Sequence, residues 1–229
     1  MRKQEFAIGA LMAAIAMTFA AGAASATTVD IAVSDDLWVI SRQGDTNLGT
    51  NTEMRAGPRA NEGINRSILK FDLSSIPAGS VITSVKLYVY AMAAAENTTD
   101  FYDVYTASGT GVTTWDDATA TWNSTQTSWT YTLAENDDDV FVTGAGPVSW
   151  DITASLSAGD VVTFGILSKI ETSDTSQRLR LYTTRYWAEY THPYLEVTYE
   201  AVPEPTTISL IVAGFGGWWL SRRRVVNGK

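Results

Sequence analysis

Val81-Ile-Thr-Ser-Val-Lys-Leu-Tyr-Val-Tyr-Ala-Met92 is the clearest fold signal in this chain of 229 residues. Apolar and polar side chains alternate along it with a period of two, which predicts a β-strand with one buried and one wetter face. The expected buried face carries Val85, Leu87, Val89 and Ala91, and the expected wetter face carries Ser84, Lys86, Tyr88 and Tyr90. Helical periodicity is nearly absent from the rest of the domain, so we expect a protein built from sheets.

Shorter strand signals flank this segment on both sides. Residues 161–168 are apolar on both faces, which predicts a central strand, and residues 194–199 alternate again and close the domain. Further strands are expected at residues 28–33, 38–41, 66–71, 101–106, 131–133 and 147–152, and one short helical turn at residues 153–156. The turn Ile76-Pro77-Ala78-Gly79 should deliver the chain into the Val81 strand on the opposite sheet. The predicted fold is all-β, an antiparallel two-sheet β-sandwich of the jelly-roll type.

Charge and composition narrow the range of functions. Residues 27–204 contain 24 acidic and ten basic side chains, so the surface repels nucleic acid and no nucleic-acid partner is expected. The chain has no cysteine and a single histidine, His192. The chain therefore has few nitrogen or sulfur side chains that could bind a metal. No cofactor is expected, although a structural calcium ion bound by oxygen ligands stays possible.

The N-terminus has the pattern of a secretory signal peptide. Arg2 and Lys3 precede an apolar stretch at residues 6–21, and Ala24-Ser25-Ala26 fits the small-residue cleavage rule. We expect signal peptidase to cut after Ala26, which makes residues 1–26 the signal peptide and residues 27–201 the folded domain. A permanent N-terminal anchor is the alternative.

The C-terminus carries a second targeting pattern over residues 202–229. Pro203-Glu204-Pro205 precedes an apolar span at residues 206–220, and the basic stop Arg222-Arg223-Arg224 follows it. The span suffices for a short, marginal transmembrane helix, and the arginines favour a cytoplasmic end. An uncleaved anchor and an unstructured tail are the alternatives.

This tail resembles the PEP-CTERM sorting signal of exopolysaccharide-producing Gram-negative bacteria. The resemblance implies an exosortase-type sorting protease as partner, cutting near Pro203-Glu204-Pro205. It also implies export across the inner membrane, transient anchoring there through the C-terminal segment, and delivery to the cell envelope or extracellular matrix. The bond that is cut, and whether the mature form is released or anchored, stay open.

Several segments of the domain match, in order, the sequence motifs of a known type of β-domain. The most specific is Arg66-Ser-Ile-Leu-Lys-Phe-Asp-Leu-Ser-Ser-Ile-Pro-Ala-Gly-Ser80, and other matching segments lie at residues 36–40, 46–50, 115–123, 149–153 and 192–199. Together they resemble the DNRLRE domain, a disaggregatase-related β-sandwich similar to carbohydrate-binding modules. The resemblance implies sugar binding. Members that bind sugars, alginate among them, are usually attached to enzymes, whereas no enzyme domain is recognisable in this sequence.

Aromatic side chains are the first candidates for a sugar site, because an aromatic ring buries the apolar face of a sugar ring. Trp187, within Tyr186-Trp187-Ala188-Glu189-Tyr190, is the preferred exposed aromatic. For Trp129 two interpretations stay open: an exposed ring that stacks on a sugar, and a ring packed in the core. Trp115 and Trp122 are expected in the core, capping the sandwich from a long loop.

Charged side chains give the second group of candidates. Arg178, Arg180 and Arg185 form a local basic cluster that suits the carboxylates of uronate sugars, with ordinary pairing to Glu171, Asp174 or Glu189 as the alternative. Asp137, Asp138 and Asp139 are weak calcium candidates, because the run lacks the spacing of a dedicated calcium loop and suits a solvated turn equally.

Catalytic patterns have little support in the sequence. Asp116 and Asp117 are adjacent, so on a strand they would point to opposite faces, which is poor geometry for a glycosidase pair. We therefore expect no enzyme. The sequence indicates an exported, non-catalytic surface or matrix protein associated with exopolysaccharide or biofilm. A stand-alone carbohydrate-binding module is the alternative, and a polysaccharide-cleaving enzyme is third.

Overall fold

A computed structural model describes residues 25–92, 101–135, 140, 142, 144–171 and 178–201, and residues Ala26–Glu200 form one unit. The strands described there are β1 (Ala26–Ile40), β2 (Glu53–Arg59), β3 (Gly63–Asp72), β4 (Val81–Ala91), β5 (Tyr102–Gly109), β6 (Trp129–Leu133), β7 (Gly146–Ile152), β8 (Val161–Ser168), β9 (Leu179–Tyr182) and β10 (Tyr194–Glu200). A five-residue helix, α1 (Trp122–Gln126), and two 3-10 turns, Ser41–Gln43 and Glu189–Thr191, complete the regular structure of this part of the chain.

The strands pair antiparallel in two connected sheets. The first sheet joins the start of β1 to β10, β4 and β7, and it also takes in β9 and the start of β2. The second sheet joins the end of β1 to β3, β8, β5 and β6, with the end of β2 on β3. The register of β1 shifts between Val33 and Asp35, where a bulge lets one strand serve both sheets. The prediction of an all-β, antiparallel, sandwich-like fold is confirmed.

Aromatic side chains fill the space between the two sheets. Trp150 on β7 donates its indole N–H to the carbonyl oxygen of Tyr102 on β5, at 2.8 Å, which ties the first sheet to the second. Phe71 and Phe164, on neighbouring strands of the second sheet, pack with ring centroids 6.1 Å apart. Burial of these rings and of the aliphatic side chains around them stabilises the domain, which contains no cysteine and hence no disulfide.

The Val81 strand forms as predicted and ends one residue earlier, at Ala91. Its side chains at Val85, Leu87, Val89 and Ala91 are buried, and Tyr88 and Tyr90 lie half-buried on the outer face. The turn before it is also confirmed: the Ser80 N–H donates to the carbonyl of Pro77 at 3.1 Å, and Gly79 takes a φ of 82° that favours glycine. This turn carries the chain from β3 in the second sheet to β4 in the first.

Three local expectations need correction or completion. No strand was expected across residues 53–59, where β2 forms, because its charged residues conceal the alternation. The predicted helical turn at residues 153–156 is absent: the N–H groups of Thr153 and Ala154 both donate to the Ala134 carbonyl, at 2.7 and 3.2 Å, which holds the segment against the sheet edge. The helix forms instead at Trp122–Gln126, capped by Thr121 and Ser124.

The targeting segments lie outside the described residues. This applies to residues 1–24, including Ala24, and to the tail that contains Pro203, Glu204, Pro205, Arg222, Arg223 and Arg224. Ala26, the expected last residue of the signal peptide, is the first residue of β1. In the part of the chain that the structure describes, no helix has the length and apolar character needed to cross a membrane.

Candidate functional site

A continuous series of aromatic rings lies along the outer face of the first sheet. Tyr90 contacts Tyr182 with ring centroids 5.9 Å apart, Tyr182 contacts Tyr186 at 4.1 Å, and Tyr186 contacts Trp187 at 5.5 Å. Tyr190 meets Tyr90 edge-on at 6.3 Å. We call these five rings the aromatic strip. The first and last rings of this series of contacts are open to solvent: Tyr190 is 78% exposed and Trp187 is 81% exposed.

Sheet pairing brings together rings that are far apart in the sequence. Ala91 on β4 pairs with Leu181 on β9, which places the neighbouring residues Tyr90 and Tyr182 side by side on the outer face. Partial burial raises the pKa of Tyr182 above its usual value, and the hydrogen bond to Tyr186 and the surrounding phenols add to the effect. The Tyr182 phenol therefore stays neutral over the ordinary pH range.

The connection from β9 to β10 presents the two exposed rings of the strip, Trp187 and Tyr190. The Tyr186 N–H donates to the Thr183 carbonyl at 3.1 Å, and the Thr191 N–H donates to the Ala188 carbonyl at 3.0 Å. Ala188 is buried between Trp187 and Tyr190, so the two rings flank an anchored backbone. His192 Nε2 lies 2.8 Å from the Tyr186 carbonyl oxygen, which identifies this nitrogen as the donor and gives the histidine a packing role.

A buried carboxylate fixes the start of the same connection. Asp36 is fully buried and accepts hydrogen bonds from the Thr184 N–H at 2.7 Å and from its hydroxyl at 2.9 Å. Burial raises the pKa of Asp36, while these hydrogen bonds and the charge of Arg185 oppose the rise. Arg185 lies 3.7 Å from Asp36 and 2.5 Å from Asp117, so it links β1 to the long connection between β5 and β6.

Four arginines and two glutamates lie beside the strip. They are Arg55, Arg59, Arg178, Arg180, Glu53 and Glu62, and we call them the arginine patch. Glu53 pairs in register with Tyr182, so the patch is continuous with the aromatic strip. Although burial acts in the opposite direction, hydrogen bonds from Arg180 and Arg55 lower the pKa of Glu53 and keep it ionised.

The other broad face, on the second sheet, is closed by packing. Trp115 and Ala120, from the connection between β5 and β6, pack on Leu37, Val39 and Ile68. This connection is the long loop that was expected to cap the sandwich. The Trp115 indole N–H donates to the Thr163 hydroxyl at 2.9 Å. Arg66 lies over the rings of Trp122 and Tyr131 at 5.2 and 5.3 Å and bonds Glu171. This face offers no comparable exposed ring among the residues described.

The structure separates the two tryptophans proposed for sugar stacking. Trp187 is exposed at the end of the strip, whereas Trp129 is only 8% exposed and packs against Trp115 with centroids 6.1 Å apart. The Trp129 indole N–H donates to the Thr110 carbonyl at 3.0 Å. Its faces are therefore occupied by the protein, and a stacking proposal has to rest on Trp187.

The three predicted arginines are all ion-paired, with partners that the sequence did not indicate. Arg178 is buried and lies 3.6 Å from Glu62, Arg180 bonds Glu53, and Arg185 bonds Asp117. Glu171, one of the partners considered from the sequence, bonds Arg66 instead, at 2.6 Å. Arg180 keeps 37% of its side chain exposed at the edge of the strip.

A metal site receives no support from the described residues, where no group of three or more His, Asp or Glu side chains converges. The weak calcium candidates Asp137, Asp138 and Asp139 lie outside those residues. The tyrosines of the strip were not proposed as site residues, although the sequence contained a signal for three of them. Tyr90 falls on the wetter face of the Val81 strand, and Tyr186 and Tyr190 belong to the aromatic cluster around Trp187.

An antiparallel β-domain that displays aromatic rings on an open sheet face has the architecture of a carbohydrate-binding module. Aromatic faces on such a surface can bury the apolar faces of sugar rings, while neighbouring polar groups bond the hydroxyls. The chain belongs to carbohydrate-binding module family 96, whose family model matches residues 27–199. That match covers nearly the whole unit Ala26–Glu200. A search of curated proteins gives no match.

Proposed function

We propose that the domain is a non-catalytic module that binds a polysaccharide through the aromatic strip. The observation that carries this proposal is the run of contacting rings that ends in Trp187, which is 81% exposed. A large ring left in water costs free energy that a bound sugar recovers by covering it. Family membership supports carbohydrate as the ligand.

The binding mechanism combines stacking with hydrogen bonds at the rim. The exposed faces of Trp187 and Tyr190 take the C–H faces of sugar rings. Arg180, beside Tyr182 on β9, donates hydrogen bonds to hydroxyl or carboxylate oxygens from its exposed part. Arg178 and Arg185 act at longer range, since Arg178 is buried against Glu62 and Arg185 is held by Asp117.

The cellular setting follows from the two ends of the sequence. Signal peptidase removes residues 1–26, and an exosortase-type protease processes the PEP-CTERM-like tail near Pro203-Glu204-Pro205. The DNRLRE-like domain is thereby exported across the inner membrane, held there transiently, and delivered to the envelope or extracellular matrix. Its role is to associate with exopolysaccharide in a biofilm, without turnover.

A glycan array probed with the purified chain tests the proposal. We expect binding to at least one polysaccharide, loss of most of that binding in Trp187→Ala, and full retention in Val81→Ala. Val81 is an exposed apolar residue at the opposite end of β4, so it controls for the removal of surface area alone. Failure to bind any glycan would reject the module and leave a matrix protein that works through protein contacts. Release of reducing ends from those glycans would instead indicate an enzyme.

A further inference from the structure

The first part of β1 forms one edge of the first sheet. Residues 26–32 pair with β10, and β1 pairs with β3 only from Val33 onwards. Among the strands that the structure describes, none pairs with the far side of residues 26–32. This edge therefore presents a row of backbone N–H and C=O groups that a further strand can use.

The pairing with β10 shows which residues of the edge carry the open groups. The Val33 N–H donates to the carbonyl of Pro193 at 3.3 Å, so these two residues form a hydrogen-bonded pair of the antiparallel ladder. The orientation alternates along β1, so the odd-numbered residues bond to β10 and the even-numbered ones point their backbone groups away from it. The outward-pointing groups belong to Thr28, Asp30 and Ala32.

Side chains agree with this assignment. The Oγ1 atoms of Thr28 and Thr198 on β10 lie 2.9 Å apart, a close approach that is typical of opposed residues without shared backbone hydrogen bonds. Thr28, Asp30 and Ala32 are also exposed on the outer face, whereas Ile31 is buried. The edge thus has a defined phase, with both its open backbone groups and its exposed side chains on the same alternate residues.

The edge lacks the features with which sheet edges usually prevent pairing. Lysine, proline and bulges serve that purpose in natural proteins. Residues 26–32 read Ala-Thr-Thr-Val-Asp-Ile-Ala, and the bulge of β1 lies beyond them, between Val33 and Asp35. In the same sheet, β7 contains Pro147. The edge of β1 is therefore suited to accept another strand.

We propose that this edge pairs antiparallel with the same edge of a second copy of the chain, about a twofold axis at Val29. Shared hydrogen bonds require even-numbered residues opposite even-numbered ones. With the axis at Val29, Thr28 lies opposite Asp30 of the partner subunit, and its hydroxyl donates to that carboxylate, once on each side. An axis at Asp30 sets two carboxylates against each other, which disfavours that register.

A second copy fits because the edge is complementary to itself. One symmetric interface uses both open edges, so association stops at the dimer. Val29, which is half-buried at the margin of the core, is then covered by Val29 of the partner subunit. The two first sheets become one continuous sheet with their outer faces on the same side. A polysaccharide then meets two binding faces, a consequence that rests on the proposed function.

The dimer is expected to be weak. A single strand pair buries less surface than a standard interface, and both copies carry an excess of acidic side chains. We expect a Kd on the order of 100 μM, and tighter association in added salt, which screens the repulsion between the copies.

Sedimentation equilibrium of the purified chain over a concentration series tests the proposal without any glycan. Thr28→Lys sets an ammonium group opposite each Asp30 and should tighten the dimer about tenfold, whereas Thr28→Asp opposes like charges and should weaken it about tenfold. Thr130→Lys and Thr130→Asp make the same changes of net charge at an exposed position of β6, and both should leave the Kd unchanged. Asp30→Asn keeps an oxygen acceptor opposite Thr28 and should also leave it unchanged.

The backbone supplies a second measurement. Thr28→Pro removes an N–H that points away from β10, so the domain should fold, as circular dichroism can check, and remain monomeric. In the wild type, hydrogen exchange at the amides of Thr28 and Asp30 should slow at concentrations that favour the dimer, while Val29 and Ile31 should exchange slowly throughout.

Three results would overturn the proposal. They are a monomer at every concentration in both the wild type and Thr28→Lys, a dimer that responds to none of the Thr28 changes, and fast exchange at Thr28 and Asp30 within the dimer. Association through the apolar ends of the chain would give the second result. None of them bears on glycan binding by a single copy, which the array and Trp187→Ala test separately.

Discussion

Asp36 and Thr184 are joined by two hydrogen bonds although 148 residues separate them in the sequence. Asp36 is fully buried on β1, and Thr184 begins the connection that presents Tyr186 and Trp187. One carboxylate thereby fixes the backbone from which the exposed end of the aromatic strip projects. The link is strong because both hydrogen bonds are made to a charged acceptor away from water.

Removing this carboxylate should loosen the strip and destabilise the domain. In Asp36→Ala the Thr184 N–H and hydroxyl lose their acceptor, and each buried unsatisfied group costs about 1–3 kcal/mol. We expect a lower free energy of unfolding in urea and weaker glycan binding. Asp36→Asn keeps an acceptor and should lose less of both. Asp30→Asn, at an exposed site on the same strand, is the control and should change neither quantity. Wild-type stability in Asp36→Ala would contradict the anchoring role.

The two tryptophans first considered as stacking residues should respond in opposite ways to truncation. Trp187→Ala removes an exposed ring, so stability should stay within about 0.5 kcal/mol while glycan binding weakens by about 1–3 kcal/mol. Trp129→Ala empties a buried site beside Trp115 and should cost about 3–5 kcal/mol of stability. Urea unfolding followed by far-ultraviolet circular dichroism, with titration of the folded variants, measures both effects. The assignment fails if Trp187→Ala proves the less stable of the two.

Glu53 should make the domain sensitive to acid. Its pKa in the folded state lies below the usual value of 4.5, so the folded state binds fewer protons than the unfolded state near that pH. The stabilising contribution of Glu53 is therefore complete above about pH 4.5 and is lost as the pH falls through the lower, folded-state pKa.

Glu53→Gln tests this pH dependence by the difference in unfolding free energy from the wild type. The difference should be constant between pH 6 and 7, and it should shrink as the pH falls below about 4.5. Asp30→Asn, which removes an exposed carboxylate from β1, serves as the control for net charge. A difference that grows towards acid pH would contradict the ion pairs of Glu53 with Arg55 and Arg180.

The apolar–polar pattern within a segment predicted those strands whose own residues show which of their faces is buried. β4 alternates apolar and polar residues because only one of its faces is fully buried. β8 is apolar on both faces because nearly all of its side chains are buried. β2 and β9 carry the ion-paired side chains of Arg55 and Arg180, and their short sequences take strand form because partner strands exist on both sides. The formation of β2 and β9 therefore depends on tertiary contacts, which the alternation within a short segment does not reveal.

The candidate site was only partly predictable for the same reason. Trp187 could be singled out from its own aromatic cluster, whereas the contact between Tyr90 and Tyr182 depends on the pairing of Ala91 with Leu181. The arginines were found as a cluster, but their partners Glu53 and Glu62 lie more than a hundred residues earlier. Sequence proximity predicted Glu171 as a partner, and the sheet register places it beside Arg66 instead.

Processing of the two chain ends should be visible in the mass of the mature protein. We expect an N-terminus at Thr27 and loss of Arg222-Arg223-Arg224, because the targeting patterns imply removal of both terminal segments by signal peptidase and a sorting protease. Intact-mass measurement of protein from the native envelope and medium gives both ends at once. A mature form that retains the three arginines would indicate a permanent anchor.

Gly49 should be intolerant of a side chain because another segment passes directly over it. A Cβ at this position would lie 1.7 Å from the Asp117 carbonyl oxygen, which is also held by the Asn47 side chain at 2.9 Å. Gly49→Ala must therefore displace Asp117, and with it the ion pair to Arg185 at 2.5 Å beside the aromatic strip. We expect a loss of at least about 1–3 kcal/mol in unfolding free energy, together with weaker glycan binding. Gly144→Ala is the matched control, since its Cβ would meet nothing within 4 Å, and it should change neither property. Equal stability of the two variants would show that the Asp117 segment can move without cost, and the proposed link from this loop through Arg185 to the strip would then fail.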